Sequence, residues 1–488
     1  MIALARRVPR AGWGCALAAF ANCLVWIVVI PPFQVADESG HVVYAQHLAE
    51  TGQIPDKENG YPFSDEMQET LVALRFNDVV GRPRDRATPS RYYDSAVDAA
   101  RQNPANPANG NGAIESSNQP PLYYSLAAAA YLVSPWQDLQ HRLWLMRLVS
   151  ALLAALTTLF TFMFLREVLK EPWTWTVGAL AVAFQPLFGF ISSGVHPDAL
   201  LWTACAGLLF GLARAFRKGL TPGVGAGIGL ALATGVLTKL NFGAVLPGAV
   251  LAIVLLVWRA GAGRPAAVRG AAVSLAALAV AGLLLVGMNT LVWDRPASGR
   301  VVVAAAPVNA DAAADPITRR EQLSYAWQLY LPRLPLMNDQ FDYYPLWQTF
   351  FKGTVGRFGW LDTSFPPWVY NLALVVSLAL LVLLGAALWS RRAELRRRWA
   401  ELLAYAAIAG GVLLSVGLLG ISYRQNTGNT FEQARYLLPL LPLYGAGVAL
   451  AARGIGRGLE RQLGALIVML VLAHSLFAQL LVISRYYG

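Results

Sequence analysis

The chain has 488 residues, of which 56% are hydrophobic and only 14% are charged. Its apolar residues come in long blocks, which excludes an ordinary soluble globular protein and predicts an all-α polytopic membrane protein. The net charge of +11 would suit a nucleic-acid-binding protein. The basic residues, however, form short clusters between the apolar blocks, as in "RAFRK" and "RRAELRRR". This is the distribution found in cytoplasmic loops, so we expect no nucleic acid partner.

The first apolar block follows Arg6, Arg7 and Arg10 and is similar in composition to a secretory signal peptide. Its A-x-A sequence at 19–21 falls in the middle of the block, whereas a signal cleavage site follows the apolar region. We therefore predict that the block remains as the first transmembrane helix.

About eleven blocks approach the length of about 20 residues that crosses a bilayer. They lie near 13–30, 141–165, 173–190, 198–213, 221–238, 242–258, 270–292, 367–390, 400–421, 436–452 and 462–484. Placing every basic cluster in the cytoplasm puts the N-terminus inside and the C-terminus outside. The long segments 31–140 and 293–366 are then extracytoplasmic loops. They divide the chain into a transmembrane module (1–292), a second loop (293–366) and C-terminal transmembrane helices (367–488).

The segment "PPFQVADESGH", directly after the first predicted span, places Asp37, Glu38 and His41 at the membrane boundary. The residues that follow have helical spacing, so Asp37 and His41 are predicted to share one face. Asp37 there could act as a general base. Carboxylates at a helix start are equally explained as groups that satisfy backbone amides and the helix dipole. A divalent metal ion held by these three residues is a weaker alternative, because no second ligand cluster has metal-site spacing.

Another carboxylate, Asp198, lies beside His196 in "SSGVHPDALLW" and on the same predicted side of the membrane. Its position after Pro197 suits a first helical turn, so a capping role competes with a functional one.

The end of the first long loop, "SSNQPPLYYSLAAAAYLVS", contains an apolar run that is slightly too short to span a bilayer. We predict a helix that lies at the outer interface and is anchored by Tyr123 and Tyr124.

Three basic residues lie on the predicted outer side, against the positive-inside trend. They are Lys239 in "TKLNFG", and Arg424 and Arg435 in "SYRQNTGNTFEQARYLLPLLPLY". Together they would suit a phosphate headgroup presented from the lipid, although a residue at a membrane boundary can also extend its charge to water. The chain contains no G-x-x-x-x-G-K-[ST], G-x-G-x-x-G, H-E-x-x-H or G-x-S-x-G motif. Nucleotide-driven chemistry is therefore not expected.

Six segments occur in the order found in the GT-C superfamily of membrane glycosyltransferases. They are "PPFQVADESGH", "NQPPLYY", "HRLWLMRLVSALLAALTT", "HPDALLW", "LTKLNF" and "FEQARYLLPLLPLY". Over nearly its whole length the chain resembles a bacterial branch of this superfamily and, more distantly, protein O-mannosyltransferases and lipid A aminoarabinose transferases. The resemblance implies transfer of a sugar from a polyprenyl-phosphate donor to a glycan, lipid or protein acceptor, at the outer face of a bacterial inner membrane.

The resemblance also implies roles for individual residues. Asp37 would be the catalytic base, with Glu38 beside it and Asp198 as a further acidic residue. Lys239 and Arg435 would hold the donor phosphate. The remaining substrate-binding candidates are His41, Arg424 and Tyr123. Many relatives have a histidine where this chain has Gln119, so no role is carried over for it, and the loop 293–366 aligns with nothing and is where acceptor specificity is expected.

Two other functions share these features. In a transporter or flippase for polyprenyl-linked glycans, the carboxylates and cations would be gating pairs, which are expected near mid-membrane rather than at one boundary. A glycan polymerase or ligase would use the same lipid-phosphate substrate on another helical fold.

Overall fold

The computed structural model describes residues 8–55, 61–80, 91–293, 318–331, 333–337, 347–427, 432–456 and 458–488. Within these ranges, α-helices form nearly all of the regular structure. The helices before residue 294 are α1 (Arg10–Val29), α2 (Glu38–Thr51), α3 (Asp65–Ala73), α4 (Phe76–Val79), α5 (Arg91–Gln102), α6 (Leu122–Leu132), α7 (Leu139–Val168), α8 (Pro172–Ala183), α9 (Pro186–Ile191), α10 (Asp198–Lys218), α11 (Pro222–Thr238), α12 (Leu246–Trp258) and α13 (Arg264–Gly287). The later ones are α14 (Arg319–Tyr330), α15 (Trp347–Gly356), α16 (Pro367–Ser390), α17 (Arg392–Arg397), α18 (Trp399–Thr427), α19 (Leu441–Ala451) and α20 (Glu460–Tyr487).

Short elements connect several of these helices. The 3₁₀ segments are Glu115–Asn118, Leu240–Val245, Gly261–Gly263 and Ala434–Leu440, and a π-helical turn covers Met288–Val292. Strands β1 (Arg357–Phe358) and β2 (Thr363–Ser364) form a small antiparallel hairpin. The 3₁₀ segments Leu240–Val245 and Ala434–Leu440 matter most here, because they begin at or beside two of the predicted basic site residues.

The structure confirms an all-α polytopic membrane protein. In the described ranges, nine helical segments are long and apolar enough to cross a membrane. They are Arg10–Val29, Leu139–Val168, Asp198–Lys218, Leu240–Trp258, Gly261–Val292, Pro367–Ser390, Trp399–Ile421, Ala434–Ala451 and Glu460–Tyr487. All nine coincide with predicted spans.

The other two predicted spans are not long single helices. Residues 173–190 form α8 and α9, which are interrupted at Gln185. Pro186 starts α9, and the Gln185 side chain accepts a hydrogen bond from the Phe188 amide at 2.6 Å, so a new helix start replaces the predicted continuation. The span predicted at 221–238 is α11, which has 17 residues.

Glycines allow close packing between helices in the bundle. A Cβ added to Gly225 of α11 would lie 2.2 Å from the carbonyl oxygen of Gly270 in α13. A Cβ added to Gly178 of α8 would lie 2.5 Å from that of Gly445 in α19. Neither contact could accommodate a side chain, so small residues hold these helices together through close van der Waals contact.

The basic clusters gather at one end of the bundle, which we call the basic end and define by Arg217, Arg398, Glu401 and Arg453. Arg398 donates to both carboxylate oxygens of Glu401 at 2.9 Å, and Arg217 lies 3.3 Å from the same carboxylate. Arg453 pairs with Glu171 in the connection between α7 and α8. Their meeting at one end agrees with the charge distribution from which the topology is predicted.

The first predicted loop, 31–140, folds at the opposite end, and its hydrophobic core is shared with α7 and the start of α10. Helix α6 forms where a helix is predicted, and it packs against α2. Tyr123 and Tyr124 are both completely buried, and the Tyr124 ring stacks on Tyr44 with 3.7 Å between centroids. The prediction that these two tyrosines anchor an interfacial helix is therefore wrong: they build the core of the loop.

Part of the second predicted loop, 293–366, also covers this end of the bundle. Helix α15 packs against α9 and against the 3₁₀ segment Ala434–Leu440. The indole of Trp360, in the turn between β1 and β2, donates to the carbonyl oxygen of Phe33 at 3.2 Å. The two long loops are thus in contact. Residues 294–317 and 338–346 of the second loop lie outside the described ranges.

Candidate functional site

Asp37 stands at the start of α2 with an uncommon backbone conformation. Its φ of 63° and ψ of 3° lie in the left-handed region, which aspartate tolerates better than most side chains and which often marks a functional position. Its side chain is 45% exposed, whereas the adjacent Ala36 and Glu38 are buried. The turn therefore directs one of the two neighbouring carboxylates out of the core.

Arg435, from the 3₁₀ segment Ala434–Leu440, reaches this carboxylate from the far end of the chain. Its Nη2 donates to Asp37 Oδ2 at 2.5 Å, and the guanidinium is 6% exposed. Its Nη1 lies 2.8 Å from His196 Nε2. Because a guanidinium can only donate, His196 Nε2 is the acceptor in this contact.

Asp198 and Lys239 form a second pair beside the first. Asp198 begins α10 and Lys239 follows α11 directly; their Oδ1 and Nζ atoms are 2.5 Å apart, and both residues are buried. Asp198 Oδ2 is also 4.0 Å from Arg435 Nε. We call Asp37, Asp198, Lys239 and Arg435 the charge cluster. Its two carboxylates balance its two cations.

Two buried polar atoms of the charge cluster have no hydrogen-bond partner among the described residues. They are Asp198 Oδ2 and Arg435 Nε, an acceptor and a donor. Buried polar atoms are normally paired, so these two mark a place where a polar ligand atom would be stabilised. A hydroxyl group can accept from Nε and donate to Oδ2 at once.

The electrostatic surroundings keep the carboxylate charged and the histidines neutral. Burial raises the pKa of Asp37, but the nearby charges, chiefly that of Arg435, outweigh it and hold the pKa below its usual value. Burial lowers the pKa of His41 to about 3 and that of His196 well below its usual value. Both imidazoles are therefore uncharged at neutral pH. Their rings meet edge to face at 4.5 Å, and His41 Nδ1 lies 2.9 Å from the Tyr124 hydroxyl.

Glu38, the second predicted catalytic carboxylate, has a different environment. It is completely buried, and Arg147 of α7 donates to its two oxygens at 2.8 and 2.7 Å. The Val195 amide donates to the same carboxylate at 3.0 Å. Arg147 also donates to the carbonyl oxygens of Ile30 and Pro31, both at 2.9 Å. We therefore correct the role predicted for Glu38: its oxygens belong to a closed structural ion pair.

Two predicted site residues, Tyr123 and Arg424, and the metal alternative remain. The Tyr123 hydroxyl is 2.7 Å from Ser150 Oγ and accepts from the His196 amide at 2.6 Å, so it supports the loop before α10 instead of facing a substrate. Arg424 lies in α18, and its side chain is outside the part that the structure describes. In the described ranges, no three His, Cys, Asp or Glu side chains are grouped as metal ligands. Asp37, Glu38 and His41 therefore do not form the metal site considered above.

A narrow cleft extends from the charge cluster between the helices. Its cavity volume is only about 30 Å³, and Asp198 and Arg435 lie in its wall. The rest of its lining is mainly apolar and comes from α10, α12, α18 and the two adjoining 3₁₀ segments: Leu201, Phe242, Ala244, Val245, Val412, Val416, Leu419 and Pro439, with Asn241, Ser415 and Tyr436. The cleft thus joins a charged group to an apolar passage.

Sequence reasoning does not find Arg147 as a site-forming residue. The available signal is a single arginine within the apolar run "LWLMRLVSALL", because a charge at such a depth is seldom tolerated without a partner. His196 contacts both Arg435 and His41. The sequence around His196 does not predict these contacts, because they depend on how three separate segments meet.

Comparison with known proteins identifies a family. A family model described as "Predicted membrane protein (DUF2142)" matches residues 20–444, a range that contains the whole charge cluster. No curated protein and no solved structure matches the chain. The matched range is well over half of the 488 residues, and the chain therefore belongs to the DUF2142 family of predicted membrane proteins.

Proposed function

We propose that the protein is a GT-C-type membrane glycosyltransferase, which transfers a sugar from a polyprenyl-phosphate donor to an extracytoplasmic glycan, lipid or protein acceptor at a bacterial inner membrane. The observation that carries the proposal is the charge cluster at the mouth of the apolar cleft. A polyprenyl-phosphate sugar has the matching parts, namely a long apolar chain, a phosphate and a set of hydroxyl groups.

In this reaction, Arg435 and Lys239 hold the donor phosphate. Within the protein each cation is neutralised by one carboxylate, at 2.5 Å in both pairs. A phosphate diester offers an anion that accepts the same charge-assisted hydrogen bonds, so it can exchange with the carboxylates on the two cations. The cations then stabilise the negative charge that develops on the leaving phosphate.

Asp37 is the proposed base. The acceptor hydroxyl attacks the anomeric carbon and its proton passes to Asp37, while the bond from that carbon to the phosphate oxygen breaks and polyprenyl phosphate leaves with the electron pair. The free protein holds the pKa of Asp37 low through Arg435. When Arg435 turns to the donor phosphate, Asp37 loses part of that attraction, its pKa rises, and it becomes a stronger base.

Asp198 has a supporting role in the proposal. Its Oδ2 and Arg435 Nε form the unpaired acceptor and donor described above, which suits a hydroxyl of the donor sugar. The apolar lining of the cleft, including Val412, Val416 and Leu419, matches the first isoprene units in polarity, and the surrounding helices would have to separate to admit them. In the proposal the donor enters from the bilayer between helices and already carries its sugar on the lipid phosphate, so the reaction requires no cytoplasmic nucleotide.

The second candidate is a transporter or flippase for a polyprenyl-linked glycan. Its supporting observation is that both ion pairs join distant segments, Arg435 with Asp37 and Lys239 with Asp198. Ion pairs between separate helices can open and close as gates. In that case the lipid-linked sugar would cross the membrane without being cleaved.

The deciding experiment uses purified full-length protein and a synthetic polyprenyl-phosphate sugar, with a cell-envelope extract as acceptor source, and measures released polyprenyl phosphate. Asp37→Asn should reduce turnover about 10²–10⁴-fold, the usual contribution of a positioned base. Asp65→Asn is the matched control, because Asp65 also begins a helix in the first loop but lies exposed. Equal turnover by Asp37→Asn and wild type would exclude the proposed base. Translocation of intact lipid-linked sugar in liposomes, without cleavage, would establish the transporter.

A further inference from the structure

The basic end contains a wide cavity that the proposed reaction does not use. It lies between the ends of α10 and α12 and the starts of α11, α13 and α18, and its volume is about 640 Å³. Five basic residues and one acidic residue contribute to its wall: Arg217, Lys218, Arg259, Arg397, Arg398 and Glu401. The lining therefore carries a strong positive charge.

Only part of this charge is neutralised within the protein. Glu401 forms ion pairs with Arg398 at 2.9 Å and with Arg217 at 3.3 Å. Arg259 and Arg397, in contrast, have no carboxylate partner within the described part of the chain. The guanidinium of Arg259 lies over the Trp399 ring, 5.7 Å from its centroid. Two arginines thus face the cavity with their charges uncompensated.

Apart from Thr221, the remainder of the wall is apolar. Phe216, Leu220 and Leu256 contribute apolar surface, and Gly219 and Gly263 leave room between the helices. The cavity is therefore amphipathic, with cationic groups and hydrocarbon in the same wall.

Tryptophans indicate the depth of the cavity in the membrane. Trp258 and Trp399 are adjacent, with ring centroids 6.1 Å apart, and are 67% and 45% exposed. Exposed tryptophans concentrate at the membrane–water interface, where lipid headgroups lie. The cavity beside them is at the depth of the phosphates of the nearest leaflet.

The positive-inside trend accounts for basic residues at this end, but not for their arrangement around a cavity. Arg264 and Arg396 satisfy the same trend and are as exposed as Arg259 and Arg397, but they lie outside the cavity wall. A set of basic residues around one cavity, with two arginines that have no carboxylate partner in the described structure, is the arrangement that binds anionic headgroups between transmembrane helices.

We propose that this cavity binds the phosphate headgroup of an anionic phospholipid from the leaflet that faces the basic end. Arg259 and Arg397 supply the main contacts to the phosphate, and the apolar wall takes the glycerol and the first acyl carbons. The site is independent of the charge cluster and of the proposed glycosyltransfer.

Native mass spectrometry of the detergent-purified full-length protein tests the proposal, with phosphatidylglycerol and phosphatidylcholine as probes. Wild type should retain phosphatidylglycerol preferentially. Each basic residue near a membrane surface contributes about 1 kcal/mol toward an anionic lipid, so Arg259→Gln/Arg397→Gln should weaken retention about 30-fold. Both side chains lack carboxylate partners in the described structure, so this variant should fold, and Arg259→Lys/Arg397→Lys should recover most of the binding.

The matched control is Arg264→Gln/Arg396→Gln, which removes the same charge from exposed positions at the same end. It should retain phosphatidylglycerol like wild type. An equal loss in this control would show a diffuse surface attraction and overturn the site. Unchanged retention by the cavity variant would do the same. Displacement of the lipid by millimolar inorganic phosphate or glycerol phosphate would overturn the lipid as occupant and indicate a soluble anion.

Discussion

Asp37 and Glu38 are adjacent carboxylates with opposite environments. Glu38 is the first helical residue, whereas Asp37 before it has a left-handed backbone conformation, so one carboxylate faces the charge cluster while the other enters the core. Asp37 meets Arg435 at a half-exposed position, whereas Glu38 is enclosed by Arg147 and a backbone amide. Residue type alone does not separate these roles; the difference comes from which cation each carboxylate reaches.

We expect Arg435→Gln to weaken both donor binding and turnover. The substitution removes a charge-assisted contact of roughly 1.5–3 kcal/mol, which corresponds to about 10- to 150-fold in affinity. The measurement is the dissociation constant of a non-hydrolysable polyprenyl-phosphate analogue. Arg142→Gln is the control, because Arg142 also pairs with a carboxylate at this end of the protein, Glu50 at 3.3 Å, but lies outside the cluster. Wild-type affinity in Arg435→Gln would refute the phosphate clamp.

His41 should make the protein less stable at acid pH. Burial lowers its pKa to about 3 in the folded protein, below the ordinary value of about 6.5. Asp37 opposes this shift, while Lys239 and Arg435 add to it. As the pH falls, His41 is protonated in the unfolded chain before it is protonated in the folded protein. The free energy of unfolding is therefore unaffected by His41 above a pH of about 6.5 and decreases as the pH falls from there toward 3.

Thermal unfolding in detergent between pH 7.5 and 5 measures this effect. His41→Gln cannot titrate and should flatten the pH dependence, by at most about 1.4 kcal/mol per pH unit. His141→Gln is the control, because the His141 side chain is 40% exposed. An identical pH profile for His41→Gln and wild type would contradict the assignment.

At the scale of elements, one buried ion pair holds three segments in place. Arg147 of α7 binds the carbonyl oxygens that follow α1 and the carboxylate at the start of α2, and Glu38 in turn accepts the amide of Val195 in the loop before α10. The turn that carries Asp37 and the loop that carries His196 and Asp198 are thereby fixed to the same helix. The pair positions the charge cluster without belonging to it.

Glu38→Gln should therefore destabilise the protein more than a typical surface change. Removal of one partner leaves Arg147 buried with an uncompensated charge, which costs about 3–5 kcal/mol. Combining it with Arg147→Gln should restore part of the stability, and a double-mutant cycle from unfolding midpoints gives the coupling. Glu69→Gln, an exposed change on α3, is the control. Additive effects of Glu38→Gln and Arg147→Gln would argue against the pair as a positioning device.

For the whole molecule, the sequence predicts the helices far better than their contacts. Long apolar blocks report membrane spans directly, and all nine long segments are found where they are predicted. Four of the eight predicted site residues meet in the charge cluster, since helix ends on one side of a bundle are brought together. The partners of Glu38 and Tyr123 could not be predicted, because those contacts join segments more than 25 residues apart and a single sequence carries no record of such pairings.

The orientation of the bundle remains a prediction that the charge distribution supports. If the basic end is cytoplasmic, Gln53 in the first loop is outside and Arg396 is inside. The native cysteines Cys15, Cys23 and Cys205 are buried, so exposed cysteines introduced by Gln53→Cys and Arg396→Cys can be labelled selectively. A membrane-impermeant thiol reagent applied to intact spheroplasts should label Gln53→Cys, and should label Arg396→Cys only after permeabilisation. The reverse pattern would place the charge cluster in the cytoplasm, where no polyprenyl-linked donor from the outer leaflet could reach it, and the proposed function would fail with the topology.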